Sequence, residues 1–229
     1  MAFRVIALLM FLHGGNAAWA QDKITLQAAG GIAASYIQNA TPRLLPHVGL
    51  YLLVPVEGGF SVKTGVAYEQ KGWTTRSTDT TDNYRDESTV VLTLHTISIP
   101  LQICYTLRKG RAISYSFSGG MRYSFFINAT GEWTLDTYRG DRLLHSQTSS
   151  WNPNIALIPD DSRLKNSYDG VSYYRFNTAV RAEVSVLWKG RYSMLAFWER
   201  GLNEVSAAMD NTTSLHLGYS WLALGINLR

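Results

Sequence analysis

The sequence predicts an all-β fold: an eight-stranded antiparallel up-and-down transmembrane β-barrel with short periplasmic turns and long extracellular loops. Three observations predict it. Apolar and polar residues alternate with period two over segments longer than ordinary strands. Tight glycine-containing turns alternate along the chain with long polar links. Aromatic residues are abundant, with 13 Tyr, 8 Phe and 7 Trp, while the mean hydropathy of −0.08 is nearly neutral. A barrel with lipid outside and water or polar side chains inside has this profile.

The elements follow in chain order. Arg4 precedes an apolar run from Val5 to Leu12, and Ala18-Trp19-Ala20 has the small-x-small spacing of a cleavage site. The run is shorter than the roughly 20 apolar residues that a membrane helix needs. Residues 1–20 are therefore expected to be a signal peptide, cleaved after Ala20, and residues 21–229 the barrel domain. The residue directly after Ala20 is Gln21 rather than cysteine, which speaks against a lipid anchor. Past this segment no apolar run approaches helix length. An integral protein without such runs has to be a closed barrel, because only helices and closed barrels pair every backbone group in lipid.

Eight strands are expected: Ile24–Ile37, Val48–Val56, Phe60–Trp73, Val90–Leu107, Ile113–Asn128, Tyr173–Trp188, Tyr192–Leu202 and Leu215–Arg229. In the fifth, Ile113, Tyr115, Phe117, Met121, Tyr123, Phe125 and Ile127 share one face. Ser114, Ser116, Ser118, Arg122, Ser124 and Asn128 share the other. The sixth repeats the pattern, with Phe176, Val180, Val184 and Trp188 opposite Arg175, Arg181 and Glu183. Alternation alone leaves open a soluble barrel with its apolar face inward. Strand length and loop layout favour the membrane form, with Tyr115, Phe117, Tyr123, Phe125, Phe176, Val180, Val184, Trp188, Leu224 and Ile226 facing lipid. In the last segment Leu215, Leu217 and Tyr219 sit on the opposite parity from Leu222, Leu224 and Ile226. Either a bulge near Ser220 resets the register or the start placed at Leu215 is wrong.

The connections divide into two sets. Glu57-Gly58-Gly59, Arg108-Lys109-Gly110-Arg111 and Lys189-Gly190-Arg191 are of hairpin length. Gln38–His47, Thr74–Thr89, Ala129–Ser172 and Asn203–Ser214 are long and polar. Three short turns on one side and four long links on the other match the asymmetry of outer-membrane barrels. Within the longest link, Glu132–Leu135 and Leu143–Gln147 are placed to form an exposed hairpin around Arg139-Gly140-Asp141.

At Thr96–Tyr105, with Ile99-Pro100-Leu101 and Tyr105, and again at Arg200-Gly201-Leu202-Asn203, the chain resembles the PorT-like outer-membrane β-barrel family. The resemblance implies a barrel in the bacterial outer membrane and points to envelope or secretion proteins as partners. It transfers no catalytic residues. The final residue is Arg229, where many outer-membrane barrels carry an aromatic. Pro100 has its own physical reading: a proline removes a ladder donor, so it belongs at a bulge or a weak pairing.

Charge and composition exclude several functions. The net charge of +4 is dispersed, without the basic stripe and interleaved aromatics of a nucleic-acid binder. Cys104 is the single cysteine, and no Cys/His cluster has metal-ligand spacing. No cofactor or metal is expected.

Two sets of candidate residues remain. Lys63, Glu69, Lys71, Arg122, Arg175, Arg181, Glu183 and Glu199 fall on inward positions. They are expected to form a polar lumen network, because eight strands enclose only enough room for side chains. Trp133, Tyr138, Arg139, Asp141, Trp151 and Tyr168 lie in the longest link and are expected to form a binding surface, since aromatics and arginine anchor interfaces. The expected function is a non-enzymatic, monomeric surface protein held by outer-membrane lipid, structural or binding through its extracellular loops. Alternatives are an accessory role in export or envelope assembly, a narrow channel, and a rim hydrolase drawing on His47, His95 or His216 with Ser214 and Asp210 nearby.

Overall fold

A computed structural model describes residues 24–36, 40–81, 83–109, 112–152, 155–156, 171–202, 206–208 and 218–228. Their strands are β1 (Thr25–Tyr36), β2 (Thr41–Pro55), β3 (Phe60–Thr81), β4 (Tyr84–Lys109), β5 (Ile113–Arg139), β6 (Arg142–Trp151), β7 (Ile155–Ala156), β8 (Val171–Tyr174), β9 (Phe176–Trp188), β10 (Tyr192–Gly201), β11 (Ser206–Ala208) and β12 (Gly218–Leu228). β1, β2, β3, β4, β5, β9, β10 and β12 pair in that order, every pair antiparallel, and β12 returns to β1. This closed ring of eight staves leaves no free edge in its lower part. β7, β8 and β11 form a separate three-stranded sheet.

Burial alternates along the staves with the apolar residues outside. β10 alternates between exposed and buried at every position. Met194 and Trp198 are exposed while Ser193 and Glu199 are buried. Every expected lipid-facing residue except half-buried Tyr123 is exposed, and Leu50, Val66, Ile99 and Leu101 join them. The inward-apolar, soluble alternative is thereby overturned. A continuous apolar belt of this extent needs a lipid solvent.

The short turns sit at one end. Gly58 and Gly59 both take left-handed φ, at 62° and 85°, as does Gly190 at 62°. Side chains tolerate this region poorly, whereas glycine enters it freely. Pro100 lies where the β3–β4 ladder skips from Thr64↔Leu101 to Ala67↔Ser98, so the missing donor falls in a gap, as its chemistry requires.

The upper half departs from the sequence reading. Thr74–Thr89 is not a loop: β3 continues to Thr81, and β4 starts at Tyr84. Thr75↔Val90 through Thr81↔Tyr84 are paired without a shift. β2 likewise begins at Thr41, inside the expected link Gln38–His47, with an irregularity between Pro42 and His47. The strand expected from Tyr173 breaks at Arg175, where β8 ends and β9 begins. The hairpin around Arg139-Gly140-Asp141 is present as β5 and β6. In the last strand the register runs unshifted from Tyr36↔Gly218 to Leu26↔Leu228. The pairing runs through Ser220 without a shift, so no bulge resets the register there. Leu215 and Leu217 lie outside the described residues.

β2 leaves β3 at Thr74, and β9 leaves β5 at Phe125. Beyond those points β3, β4, β5 and β6 pair only with one another among the described residues. They form a four-stranded sheet that projects from the long-loop end.

Candidate functional site

The lumen gathers seven of its eight expected residues. Glu183 takes Lys63 Nζ on Oε1 at 2.5 Å and Arg181 on Oε2 at 2.7 Å. Glu199 takes Lys71 Nζ on Oε1 at 3.0 Å and Arg122 on Oε2 at 2.8 Å. Arg122 also pairs with Glu69 and donates to Ser98 Oγ at 2.5 Å. Lys71 lies 3.7 Å from the other Glu69 oxygen. All seven are buried. Four cations thus meet three carboxylates, and each ionised group has an opposite charge beside it. Burial of this kind is tolerated only with such pairing.

Arg175 is corrected: it is exposed at the bend between β8 and β9, and its carbonyl accepts a bond from the Phe126 amide at 2.9 Å. The bend ends the inward alternation one residue before β9 begins.

Two members of the network escaped the sequence reading. His47 Nδ1 sits 2.9 Å from Glu69 Oε1, and His47 Nε2 sits 2.9 Å from the Tyr51 hydroxyl. Lys63 Nζ lies 4.5 Å from the centre of the Tyr51 ring. Tyr51 therefore joins the Glu183 group to the Glu69–Glu199 group. Gly49 makes room for it, since a Cβ there would stand 2.5 Å from the phenolic oxygen. The usable signal was parity, because His47, Gly49 and Tyr51 share the inward face of one strand. For His47 that signal is lost when the strand is started at Val48, whereas Tyr51 lies inside the expected strand.

Above the charged rows the interior becomes apolar. Leu94 pairs with Lys71 and Ala129, and Leu92 with Trp73. All of these, with Leu45 and Phe126, are buried. The ionic rows are thus covered on the extracellular side. Along the β4–β5 wall, Thr96 Oγ1, both amide atoms of Gln102 and Ser124 Oγ have no side-chain hydrogen-bond partner among the described residues.

Among the described residues, His47 and His95 keep separate partners. His47 is committed to Glu69 and Tyr51. His95 contacts the Tyr68 hydroxyl at 2.6 Å through Nδ1 on a neighbouring strand. His216, Ser214 and Asp210 lie outside the described residues.

The projecting sheet holds five of the six expected surface residues. Trp133 Nε1 donates to Ser88 Oγ at 2.8 Å. Trp151 lies across Gly131, its cross-strand neighbour, where a Cβ would stand 2.4 Å from the indole. At the tips, the Arg85 guanidinium sits 4.7 Å from the Tyr138 ring, and that of Arg139 sits 5.9 Å from Tyr84. These reciprocal cation–π contacts clasp the two hairpin tips around a concavity lined by Thr80, Asn83, Tyr84, Arg85, Arg139, Gly140 and Asp141. Asp141 is exposed in the turn, and Gly140 supplies its left-handed φ of 59°. Tyr168 lies outside the described residues.

Comparison with known proteins agrees with this architecture. The family model described as outer membrane protein beta-barrel domain matches residues 19–194. No curated protein matches the chain. Among solved structures, Neisserial surface protein A shares 13% identity, with a TM-score of 0.40 over 92% of this chain and 99% of that one. The attachment invasion locus protein Ail of Yersinia pestis shares 7%, with a TM-score of 0.34 over 90% and 97%. The N-terminal barrel domain of Pseudomonas aeruginosa OprF shares 7%, with a TM-score of 0.33 over 92% and 100%.

Proposed function

Since the chain belongs to the outer membrane protein beta-barrel domain family, we propose that it is a non-enzymatic surface protein whose barrel carries a binding platform above the bacterial outer membrane. The observation that carries this reading is the projecting sheet. Four strands continue past the last barrel pairings and present aromatic and arginine side chains to water. Ordered, exposed structure of this length has no part in anchoring, which the apolar belt already supplies. Trp133, Tyr138, Arg139 and Trp151 provide the large, rigid contact chemistry typical of interface anchors. Asp141 supplies a carboxylate at the tip.

The lumen network acts as a structural plug in this reading. Its ionised groups are spent on each other, and the apolar rows above it oppose passage of ions. The PorT-like resemblance supports a second reading, in which the platform's target is an envelope or secretion protein of the same cell.

The test displays the protein on bacterial cells and compares it with a variant in which residues 76–89 and 134–148 are each replaced by an Asn-Gly turn. Both barrels should remain heat-modifiable on gels. Retention on surfaces coated with gelatin or dextran sulfate should fall at least about tenfold in the variant, a loss of about 1.4 kcal/mol. Equal retention on every coat would sink the platform reading.

A further inference from the structure

From Arg142 to Ser150 the outer edge of β6 has no partner strand among the described residues. β6 pairs with β5 and with nothing else among the described residues, and every residue from Arg142 to Ser150 is exposed. An edge strand carries a row of N–H and C=O groups that a partner backbone can complete. Natural sheets blunt such edges with proline, inward charges, short length or strong bulging. β6 is ten residues long. It contains no proline, and from Leu143 to Trp151 it contains no lysine, arginine or carboxylate. Its one irregularity lies near the tip, opposite Thr137/Tyr138, and leaves His145–Trp151 regular.

The other free edge of the projecting sheet differs. Thr75–Thr81 of β3 carries Arg76 and Asp79 along its exposed length. One edge is thus charged along its length and the other only at its tip. Meanwhile β6 is held firmly on its inner side. Ser146 Oγ donates to Asp136 at 2.5 Å, Thr134 and Thr148 hydroxyls lie 3.3 Å apart, and Trp151 covers Gly131. An incoming chain meets a strand that is already ordered and so loses little entropy in ordering it.

We propose that the outer edge of β6 is a β-augmentation site, which takes an extended polypeptide segment of a partner protein as a fifth, antiparallel strand. This rests on the platform reading and specifies its contact. Main-chain hydrogen bonds supply the affinity, and side chains on alternate positions supply the choice of segment. Ser146, Thr148 and Ser150 favour Thr, Ser or β-branched neighbours, as cross-strand pairs do. Arg139 and Arg142 flank Asp141 at the tip, and β6 itself has no carboxylate to oppose an acid. In antiparallel pairing the tip meets the C-terminal end of the incoming strand. The preferred segment is therefore extended, rich in Thr and Val, free of Lys and Arg, and acidic at its C-terminal end.

The experiment uses the full protein in lipid nanodiscs and a dye-labelled peptide of sequence Thr-Val-Thr-Val-Thr-Val-Asp-Asp, read by fluorescence anisotropy. Saturable binding is expected. It should weaken at least about tenfold when alternate peptide amides are N-methylated, because those amides no longer donate. Thr148→Pro and Gln147→Pro sample the two edges of β6, since successive amides point to opposite sides. One of the two should lose binding while the β5–β6 hairpin stays protease-resistant. Reversing the peptide's acidic end to Lys-Lys should also weaken binding. Absence of saturable binding, or equal binding of the methylated peptide, would overturn the site. If the edge fails while the truncated variant above still loses retention, the platform stands and its contact lies at the clasped tips or on the sheet faces instead.

Discussion

The β5 strand lives in two solvents. From Ile113 to Phe125 it is a barrel stave: Phe117 and Phe125 face lipid, and Arg122 and Ser124 are buried inside. From Glu132 to Arg139 it is a sheet in water, and every residue is exposed or half-buried. The backbone pairing with β4 continues from one half to the other, through a single shift between His95 and Thr96. What changes is the demand on side chains. In the lower half each position has an assigned face, and the ionised ones need partners. In the upper half both faces are wet, so stability comes from cross-strand pairs such as Trp133–Ser88 and Ser146–Asp136. The same fold element is therefore sensitive to substitution below and tolerant above.

The largest break in that contrast is Glu199→Ala. It strips the shared partner from Lys71 and Arg122 in the buried lumen. Removing one member of a buried ion pair costs about 3–5 kcal/mol, so urea unfolding in lipid vesicles should show a destabilisation of that order. A smaller cost would mean that water reaches the network freely, which would reopen the channel reading. Next comes Val180→Arg on the exposed apolar face, expected to cost roughly 2–4 kcal/mol if it lies near the bilayer midplane. Ser118→Thr, on the lumen side, should cost much less in the same assay. Reversed sensitivities would turn the barrel inside out.

This contrast also decides what the sequence made legible. Period-two alternation arises where two faces meet different solvents. It was therefore clear from Ile113 to Asn128 and in Phe176–Trp188, and with it came the ring of staves and seven of the eight lumen residues. Thr75–Thr81 and Tyr84–Thr89 face water on both sides. Their Thr, Ser, Asp and Arg residues read as a loop although Thr75–Thr81 pairs with Tyr84–Val90 throughout. The β5–β6 hairpin was legible for a different reason: Gly140 marked its turn and apolar residues flanked it. Arg175 was misplaced because its parity was right and the break beside it leaves no mark in composition. His47 was missed because β2 begins at Thr41, ahead of the expected start at Val48.

A third substitution moves to the wet half. Trp151→Ala removes the indole that covers Gly131. A cross-strand aromatic contributes about 0.2–1 kcal/mol, so global unfolding should barely change. The hairpin itself should open more often, and limited proteolysis should cut near Gly140 several-fold faster than in the unsubstituted protein. If cleavage there is unchanged, Trp151 does not staple β6, and the ordering assumed for its free edge has another source.

The smallest expected effect is also the sharpest test of the comparison. Ser146→Ala deletes a hydroxyl that donates to Asp136 across two exposed strands. A solvated hydrogen bond of this kind is replaced by water at little cost, and surface changes usually stay within about 0.5 kcal/mol. The matching deletion in the lumen is Ser98→Ala, which removes the oxygen that accepts from buried Arg122 at 2.5 Å. There the guanidinium loses a bond that water replaces poorly, and a buried group left short of a partner costs about 1–3 kcal/mol. One hydroxyl is removed in each case, so the difference between the two unfolding curves measures the solvent rather than the bond. Equal curves would mean that the lumen is as wet as the sheet above it, and the plug would have to be redrawn as a hydrated passage.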